Sequence, residues 1–434
     1  MDKLNFATIG VNIGDKGKAD EIATPMNICN DMVELFPKES FENNKVIWAD
    51  IYCKTGNTLK ALKQHGVSKE NIIAICPTPQ SQLFACRQLY GKLLPEVKID
   101  RKNKYPDVAG VFDITRRGQV YYISNWKEIV KGKVSNTNTF AIINKIILKE
   151  MRSEMSLEFT SEDSLKINNI IMNPPYNNDA YLDFVTLAHN LVTDNVVAIT
   201  PAKWQAKAGQ KNEQFRHEIV PYMSKIVYYP YCIDIFDITC HGGITYYLID
   251  KQKHNNSKLS VRHKNESVFI QDCDTQYSNK AYSLYGDFIE EFIGKIINGN
   301  RHHLYVNRKL DGMYKCKILH VYSGNLSGLN CIGGMIITPI EINMTNDIKS
   351  DHYVIYSGKM EECESFKSYL YTKFVRFCLA LGVHTQHFNN DEAWRFVPDP
   401  GAFDHIFTDQ ELYKKYNLTD EEINIIESVI KERK

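Results

Sequence analysis

Asn169-Ile170-Ile171-Met172-Asn173-Pro174-Pro175-Tyr176 reads as a short apolar run entering a rigid turn. The run suits a strand buried on both faces, and two adjacent prolines cannot continue a ladder. Downstream, Ala180, Phe184, Leu187, Ala188 and Leu191 recur at helical spacing. The run Asn195–Thr200 then reads as another buried strand, stopped by Pro201. Upstream, Lys45–Ala49 reads as a strand ended by Asp50, and Thr58–His65 as a helix stopped by Gly66. Asn71–Cys76 reads as a further strand, broken by Pro77 and Pro79 and followed by a helical stretch Gln80–Leu89. Strand, turn and helix in alternation predict βαβ units and a parallel sheet, hence an α/β fold.

The outer parts are less uniform. Residues 101–152 read as irregular and basic, with eleven Lys/Arg against four Asp/Glu. Lys225–Tyr229 and Gly243–Ile249 are β-type runs, and 251–310 is again locally basic. Thr419-Asp420-Glu421-Glu422 forms a capping box opening a last helix through Ile423, Ile425, Ile426 and Ile430.

Apolar residues make up 43% and charged residues 24% of 434, which excludes global disorder. Lys+Arg and Asp+Glu are both 52, so any nucleic-acid surface must come from local segregation of charge. No apolar run reaches about 18 residues, and Met1–Gly10 has no apolar leader core. The expectation is a cytoplasmic protein without a membrane partner. Eleven scattered cysteines without C-x-x-C read as reduced thiols rather than a zinc ribbon. His302-His303 has no ligand spacing around it, so no metal is expected.

The Asn173–Tyr176 turn suits chemistry on a conjugated amine. Such a nitrogen attacks poorly because its lone pair is delocalised. Two acceptors on its N–H bonds favour the tetrahedral form, and the Asn173 side-chain oxygen with the Pro174 carbonyl can supply them. Pro175 stiffens that carbonyl. The Tyr176 ring can stack a base, an interaction of about 1–3 kcal/mol. The structural alternative is a plain turn after a strand.

These residues resemble the gamma-order N6-adenine DNA methyltransferases of restriction–modification systems. The likeness runs in order through Thr24-Pro25 with Ile28 and Met32, Trp48-Ala49-Asp50 to Thr55-Gly56-Asn57, Asn173–Tyr176, and Thr200–Trp204. It continues through Phe236 before His241–Tyr247, and through Phe396-Val397-Pro398, Leu412-Tyr413 and Asn417-Leu418-Thr419. It covers roughly 21–250 and 360–434.

The resemblance implies a Rossmann-like class I methyltransferase sheet with an additional α+β target-recognition region. It implies a catalytic domain at 1–250, a recognition region at 251–355 and a C-terminal helical segment at 356–434. S-adenosylmethionine is the implied cofactor, held by Thr24, Pro25, Asp50, Ile51, Thr55 and Gly56. Asn173, Pro174, Pro175 and Tyr176 would form the catalytic turn, with Tyr176 and Phe236 stacking a flipped adenine. Double-stranded DNA is the implied partner, contacted by Lys251, Lys253, Lys258, Arg262 and Lys264. Any cleavage would come from a separate restriction endonuclease or helicase subunit.

Two departures stand out. Lys54 replaces the first loop glycine, and Cys76-Pro77-Thr78-Pro79 offers no carboxylate for ribose hydroxyls. Alternatives are therefore a weak or inactive DNA-binding specificity subunit, or a protein glutamine methyltransferase using the same turn.

Overall fold

Four strands buried along their whole length form the centre of the molecule. In the computed structural model these are β1 (Trp48–Asp50), β2 (Ile72–Cys76), β6 (Asn169–Met172) and β7 (Asn195–Pro201). The structure describes residues 22–155, 165–205, 209–229, 232–236, 243–263, 266–274, 291–296, 313–318, 340–344, 354–382, 394 and 396–430. Between β2 and β6 lie β3 (Val97–Lys98), β4 (Ile114–Arg117) and β5 (Val120–Ile123). The chain forms two compact units. The first comprises residues to Thr200, with Glu218–Lys225 and Tyr246–His254.

In the first unit the strand order is β3-β4-β5-β2-β1-β6-β7. It is continued by the ends of β9 (Ile244–Ile249) and β8 (Met223–Tyr229) that belong to this unit. β1 pairs in parallel with β2 and β6, β2 with β5, and β6 with β7, while β4 runs antiparallel to β5. This is a Rossmann-like α/β sheet. From β1 the chain builds outward to β2 and β5 on one side, and later to β6 and β7 on the other. The order reverses between β1 and β6, where ligands of open α/β sheets bind at the carboxyl ends. The register Trp48↔Asn169 and Ala49↔Ile170 sets the loop after Asp50 beside the turn after Met172.

Local chemistry explains the crossover helices. Helix α1 (Met26–Glu34) follows Pro25, and α2 (Asn57–Gln64) follows Gly56. Gly56 has φ +81°, and a Cβ there would meet the Ala85 Cα and Gln88 Cβ at 3.0 Å. This glycine therefore both turns the chain and lets α2 approach α3 (Pro79–Tyr90). Thr78 caps α3 by accepting from Ser81 N–H at 3.0 Å, with Pro79 in the first turn.

Two expectations need correction. The first strand begins at Trp48 rather than Lys45 and includes Asp50. Ile47 N–H is taken by the Asn168 side chain at 3.0 Å and Val46 N–H by Asn43 O, so this stretch lies outside the ladder. Residues 101–152 are also more regular than their composition suggests. They contain the β4–β5 hairpin, turning at Gly118 with φ +60°, and a helical run over 139–155 whose middle, Ile142–Ile147, is wound as a π-helix. Charged residues on the solvent side hide the apolar period there. The apolar face, Ile142, Ile143, Ile146, Ile147 and Met151, is buried.

The second unit comprises Pro201–His217, Ile226–Thr245 and Asn255–Lys434. It has an α+β composition. β10 (Asn256–His263) and β11 (Glu266–Asp274) form an antiparallel hairpin. β12 (Tyr314–Ile318), β13 (Ile340–Met344) and β14 (Val354–Gly358) form a three-stranded sheet in the order β13-β12-β14. Helix α4 (Met360–Tyr371) lies against β12, with the Cys316 Sγ at 3.5 Å from the Cys363 carbonyl. Phe366 stacks on Tyr356 at 4.5 Å and Phe374 on Tyr416 at 4.9 Å. The last helix, α5 (Asp420–Val429), carries the capping box read from the sequence: Glu422 N–H donates to Thr419 Oγ1 at 3.3 Å and Thr419 N–H to Glu422 Oε2 at 2.6 Å. Among the described residues no helix is long and apolar enough to cross a membrane.

Gly56→Ala is expected to destabilise the protein by about 1–3 kcal/mol, through a left-handed φ and a methyl forced against α3. A shift of the urea midpoint to lower concentration at unchanged slope is the signature to look for.

Candidate active site at the carboxyl ends of the central strands

Asn173 leaves β6 at the switch point and is 5% exposed. Its Nδ2 donates to Thr24 Oγ1 at 3.0 Å and to the Ile22 carbonyl at 3.2 Å. A carbonyl only accepts, so the amide orientation is settled: the NH₂ faces Ile22 and the oxygen faces away. That oxygen, Asn173 Oδ1, is buried with no hydrogen-bond partner among the described residues. An orphan acceptor of this kind costs about 1–3 kcal/mol.

Pro174, Pro175 and Tyr176 follow as buried residues. The Tyr176 hydroxyl donates to the Ile199 carbonyl on β7 at 3.4 Å, which fixes the ring beside the turn. Asn178 and Asp179 both have φ +55°, and this pair starts the helix Ala180–Leu191. Asn and Asp tolerate that region best among non-glycine residues.

The Thr24-Pro25 pair is brought to the same place. Pro25 stands at the N-cap of α1, and the Thr24 carbonyl accepts from Asn57 Nδ2 at 2.8 Å. Asn57 is a tether between the first-strand loop and segment 22–24. Its place inside the Thr55-Gly56-Asn57 stretch was the only sequence signal for it.

On the β1 side, Asp50 is 2% exposed. Its Oδ1 accepts from Tyr52 N–H at 3.0 Å and its Oδ2 from the Thr58 hydroxyl at 2.5 Å. Burial pushes the carboxyl up to about 6, against the pull of those two bonds and of the Lys54 charge. Ile51 is fully buried and its carbonyl accepts from Trp126 Nε1 at 2.7 Å, so this residue braces the loop.

Lys54, the departure from the family pattern, closes the site. Its Nζ donates to the Ile22 carbonyl at 3.2 Å and lies 5.6 Å from the Tyr52 ring and 5.7 Å from the Tyr176 ring. Each such contact is worth about 0.5–2 kcal/mol. The cleft bounded by Thr24, Asp50, Lys54, Thr55, Gly56 and Asn173 retains about 20 Å³. This is the space of one water, far less than the S-adenosylmethionine implied by the resemblance would occupy. The Lys54 side chain and Ala23-Thr24, in a segment tied down by Asn57, Lys54 and Asn173, border this space. At the end of β2, Thr78 caps a helix and no carboxylate follows Cys76, in keeping with the sequence.

Phe236 belongs to the second unit, is 2% exposed, and donates its N–H to the Cys232 carbonyl at 2.8 Å. Lys251 and Lys253 lie in the first unit. Lys251 Nζ donates to the His189 carbonyl in the last turn of a helix, and burial holds its pKa below the usual lysine range. Lys253 lies 5.7 Å from the Tyr222 ring. Lys258 and Arg262 share the outward side of β10, alternating with buried Ser257, Leu259 and Val261 in the second unit. Lys264 lies outside the described residues. Among the described residues no group of three His, Cys, Asp or Glu side chains is arranged to hold a metal.

No family model and no curated protein matches the chain. Among solved structures, it is similar to the methyltransferase subunit of a type I restriction–modification system from Streptococcus thermophilus, with 13% identity and a TM-score of 0.36 over 61% of this chain and 52% of that one. It is similar to the type IIG restriction endonuclease BpuSI, with 10% identity and a TM-score of 0.38 over 72% and 38%. It is also similar to the M protein of the type I restriction enzyme EcoKI, with 11% identity and a TM-score of 0.34 over 56% and 49%. The chain thus spans about half the length of the type I subunits it matches. Likenesses this distant leave the functional reading to the site residues.

The buried Asp50 makes stability depend on pH. Its folded pKa of about 6 stands above the ordinary value of 3.8, so the folded state holds the extra proton between these limits. Stability from this group is full below pH 4 and falls as pH rises to 6, by on the order of 3 kcal/mol. Asp50→Asn removes that slope and is expected to be the more stable protein above pH 6. Urea titrations at pH 4.5 and 7.5 check it; an equal gap between wild type and variant at both values rejects the assignment.

Proposed function

We propose that the chain is a DNA adenine-N6 methyltransferase of restriction–modification type, using S-adenosylmethionine. The observation that carries this reading is the buried Asn173 Oδ1, without a hydrogen-bond partner among the described residues, at the switch point of the sheet. A rigid acceptor with its own donors already spent suits an amine carrying two N–H bonds. It withdraws one hydrogen toward itself, and the adjacent Pro174 carbonyl is the second acceptor. Tyr176 stacks the base, which must first leave the duplex at a cost of a few kcal/mol. Catalysis on this reading is alignment plus preorganised polarity rather than an ionised base.

In the amine half the Asn173 Oδ1 acceptor is in place, while the Tyr176 ring that would stack the base is covered by the Lys54 ammonium at 5.7 Å. The cofactor half fits only after Lys54 moves, because its ammonium covers the Tyr176 ring and the cleft holds about 20 Å³. S-adenosylmethionine, when bound, supplies a methyl group on a positively charged sulfur. Thr24, Pro25, Asp50, Ile51, Thr55 and Gly56 are the residues assigned to hold it. Ile51 would act through the loop shape it braces, and Gly56 through its lack of a side chain. Lys54 is a resident cation facing Asp50, so it opposes a cationic ligand by both charge and volume. Phe236 is assigned to the far face of the base, which requires it to leave its buried position. Lys251, Lys253, Lys258, Arg262 and Lys264 are assigned to duplex phosphates, with cleavage left to a separate restriction endonuclease or helicase subunit and the whole acting in the cytoplasm. On the domain level, 1–250 would carry the chemistry, and 251–355 recognition with 356–434 as its support.

The closed cleft also favours a second reading, a DNA-binding specificity subunit that does not transfer methyl groups. Lys54 separates the two. Replacing it with glycine is expected to strengthen S-adenosylmethionine binding at least tenfold in calorimetry. Absence of binding heat in both the folded wild type and the Lys54→Gly variant would favour the specificity subunit.

For the transfer itself, Asn173→Ala should lower labelled-methyl incorporation into duplex DNA by about 100-fold or more, the scale of losing one preorganised polar group. Gel-shift affinity for the same duplex should persist. Undiminished transfer by this variant removes the mechanism.

A further inference from the structure

A large cavity lies away from the catalytic turn, at the opposite end of the strands. It has a volume of about 720 Å³ and is lined in the first unit by residues preceding β6 and β7 and by the helical run over 139–155. Asn173 follows β6 and Pro201 ends β7, so one strand length, roughly 15–20 Å, separates the two sites.

Its walls are dominated by cations. Lys145, Lys149 and Arg152 line it at i, i+4 and i+7, one polar stripe of a helical run whose other face is core. Lys104 and Lys166 complete the set. Among the described residues, the carboxylates that face these cations are already engaged. Glu150, with its side chain 6% exposed, accepts from the Tyr105 hydroxyl at 2.7 Å and pairs with Lys104 at 3.3 Å and Arg116 at 3.5 Å. It anchors the wall from below. Asp107 pairs with Lys145 at 2.5 Å, both more than half exposed. Such a surface pair is worth about 0–1 kcal/mol and yields readily to a doubly charged anion. Asp194 at the rim accepts from Asn168 Nδ2 at 3.2 Å. The Lys149 ammonium lies 5.5 Å from the centre of the Tyr105 ring, and both residues line the groove.

We propose that this groove is a second binding site, for phosphate groups, separate from the Asn173 turn. Among the described residues, five cations against three engaged carboxylates leave a positive field, and the volume matches a nucleotide-sized ligand. The stripe from Lys145 to Arg152 extends about 10 Å along the helix, enough to follow two to three nucleotides of a strand. The locally basic composition of 101–152, which the catalytic turn does not use, finds its place here. Phosphates of a DNA strand and of a free nucleotide present the same chemistry, and the test separates them.

The full-length chain is titrated against a fluorescent duplex oligonucleotide and against a fluorescent nucleoside triphosphate at 50 and 200 mM salt. Wild type is compared with a Lys149→Glu, Arg152→Glu double variant and with its Lys149→Gln, Arg152→Gln counterpart. Loss of two phosphate contacts should weaken binding about tenfold or more at low salt and reduce the slope of log K against log salt by about 1.8. A change confined to the duplex assigns the groove to strand phosphates, and a change confined to the triphosphate assigns it to a free nucleotide. Both support the site. If the glutamate variant melts early, the glutamine variant decides. Unchanged affinity and unchanged slope for both probes in the folded variant overturn the proposal, whatever the methyl-transfer assay gives.

Discussion

The parallel pairing of β1 with β6 is the constraint from which the rest of the first unit follows. Once Trp48 faces Asn169, the loop carrying Asp50 to Gly56 and the turn carrying Asn173 to Tyr176 must leave the sheet side by side. Crossover helices occupy the faces of the sheet, so the carboxyl edge is the place left for exposed turns with special backbone geometry. Gly56 with φ +81°, and Asn178 and Asp179 with φ +55°, cluster at that edge. The amino edge of the same strands is left to a helical run with a cationic polar face. One sheet thus presents two chemically different ends.

The carboxyl edge is polar, buried and closed. Asn173 gives its two donors to Ile22 and Thr24 and leaves an acceptor without a partner. Asp50 is held at the top of β1 with its carboxyl pushed up to about 6. Lys54 offsets part of that cost as the nearest cation, and the same side chain lies over two aromatic rings. These facts belong together. The lysine in this loop supplies a counter-charge and takes up open space, and the balance between them sets what the cleft can admit.

Much of this was legible beforehand, for physical reasons. Strands buried on both faces read as uninterrupted apolar runs, and Ile72–Cys76, Asn169–Met172 and Asn195–Pro201 are of that kind. Thr419 and Glu422 announced a helix start because capping is a local affair of four residues. The β4–β5 hairpin and the run over 139–155 were not legible, since charged residues interrupt their apolar positions and the π-helical turn at Ile142–Ile147 shifts the period of the run. Nor was the early end of pairing at Trp48, which depends on the Asn168 side chain taking Ile47 N–H from 121 residues away.

The linear chain by itself determined which residues could make strands, turns and caps, because those preferences act over a few neighbouring positions. It determined that Asn173 would stand on a turn stiffened by two prolines, and that Lys54 would break a glycine loop. Only the tertiary structure decided that Asn173 spends its amide hydrogens on Ile22 and Thr24, that Lys54 lies over Tyr176, and that Lys251 is drawn into a helix end. Those outcomes rest on contacts between residues tens to more than a hundred positions apart. Hydrogen-bond direction and burial are properties of such contacts, and no local pattern encodes them.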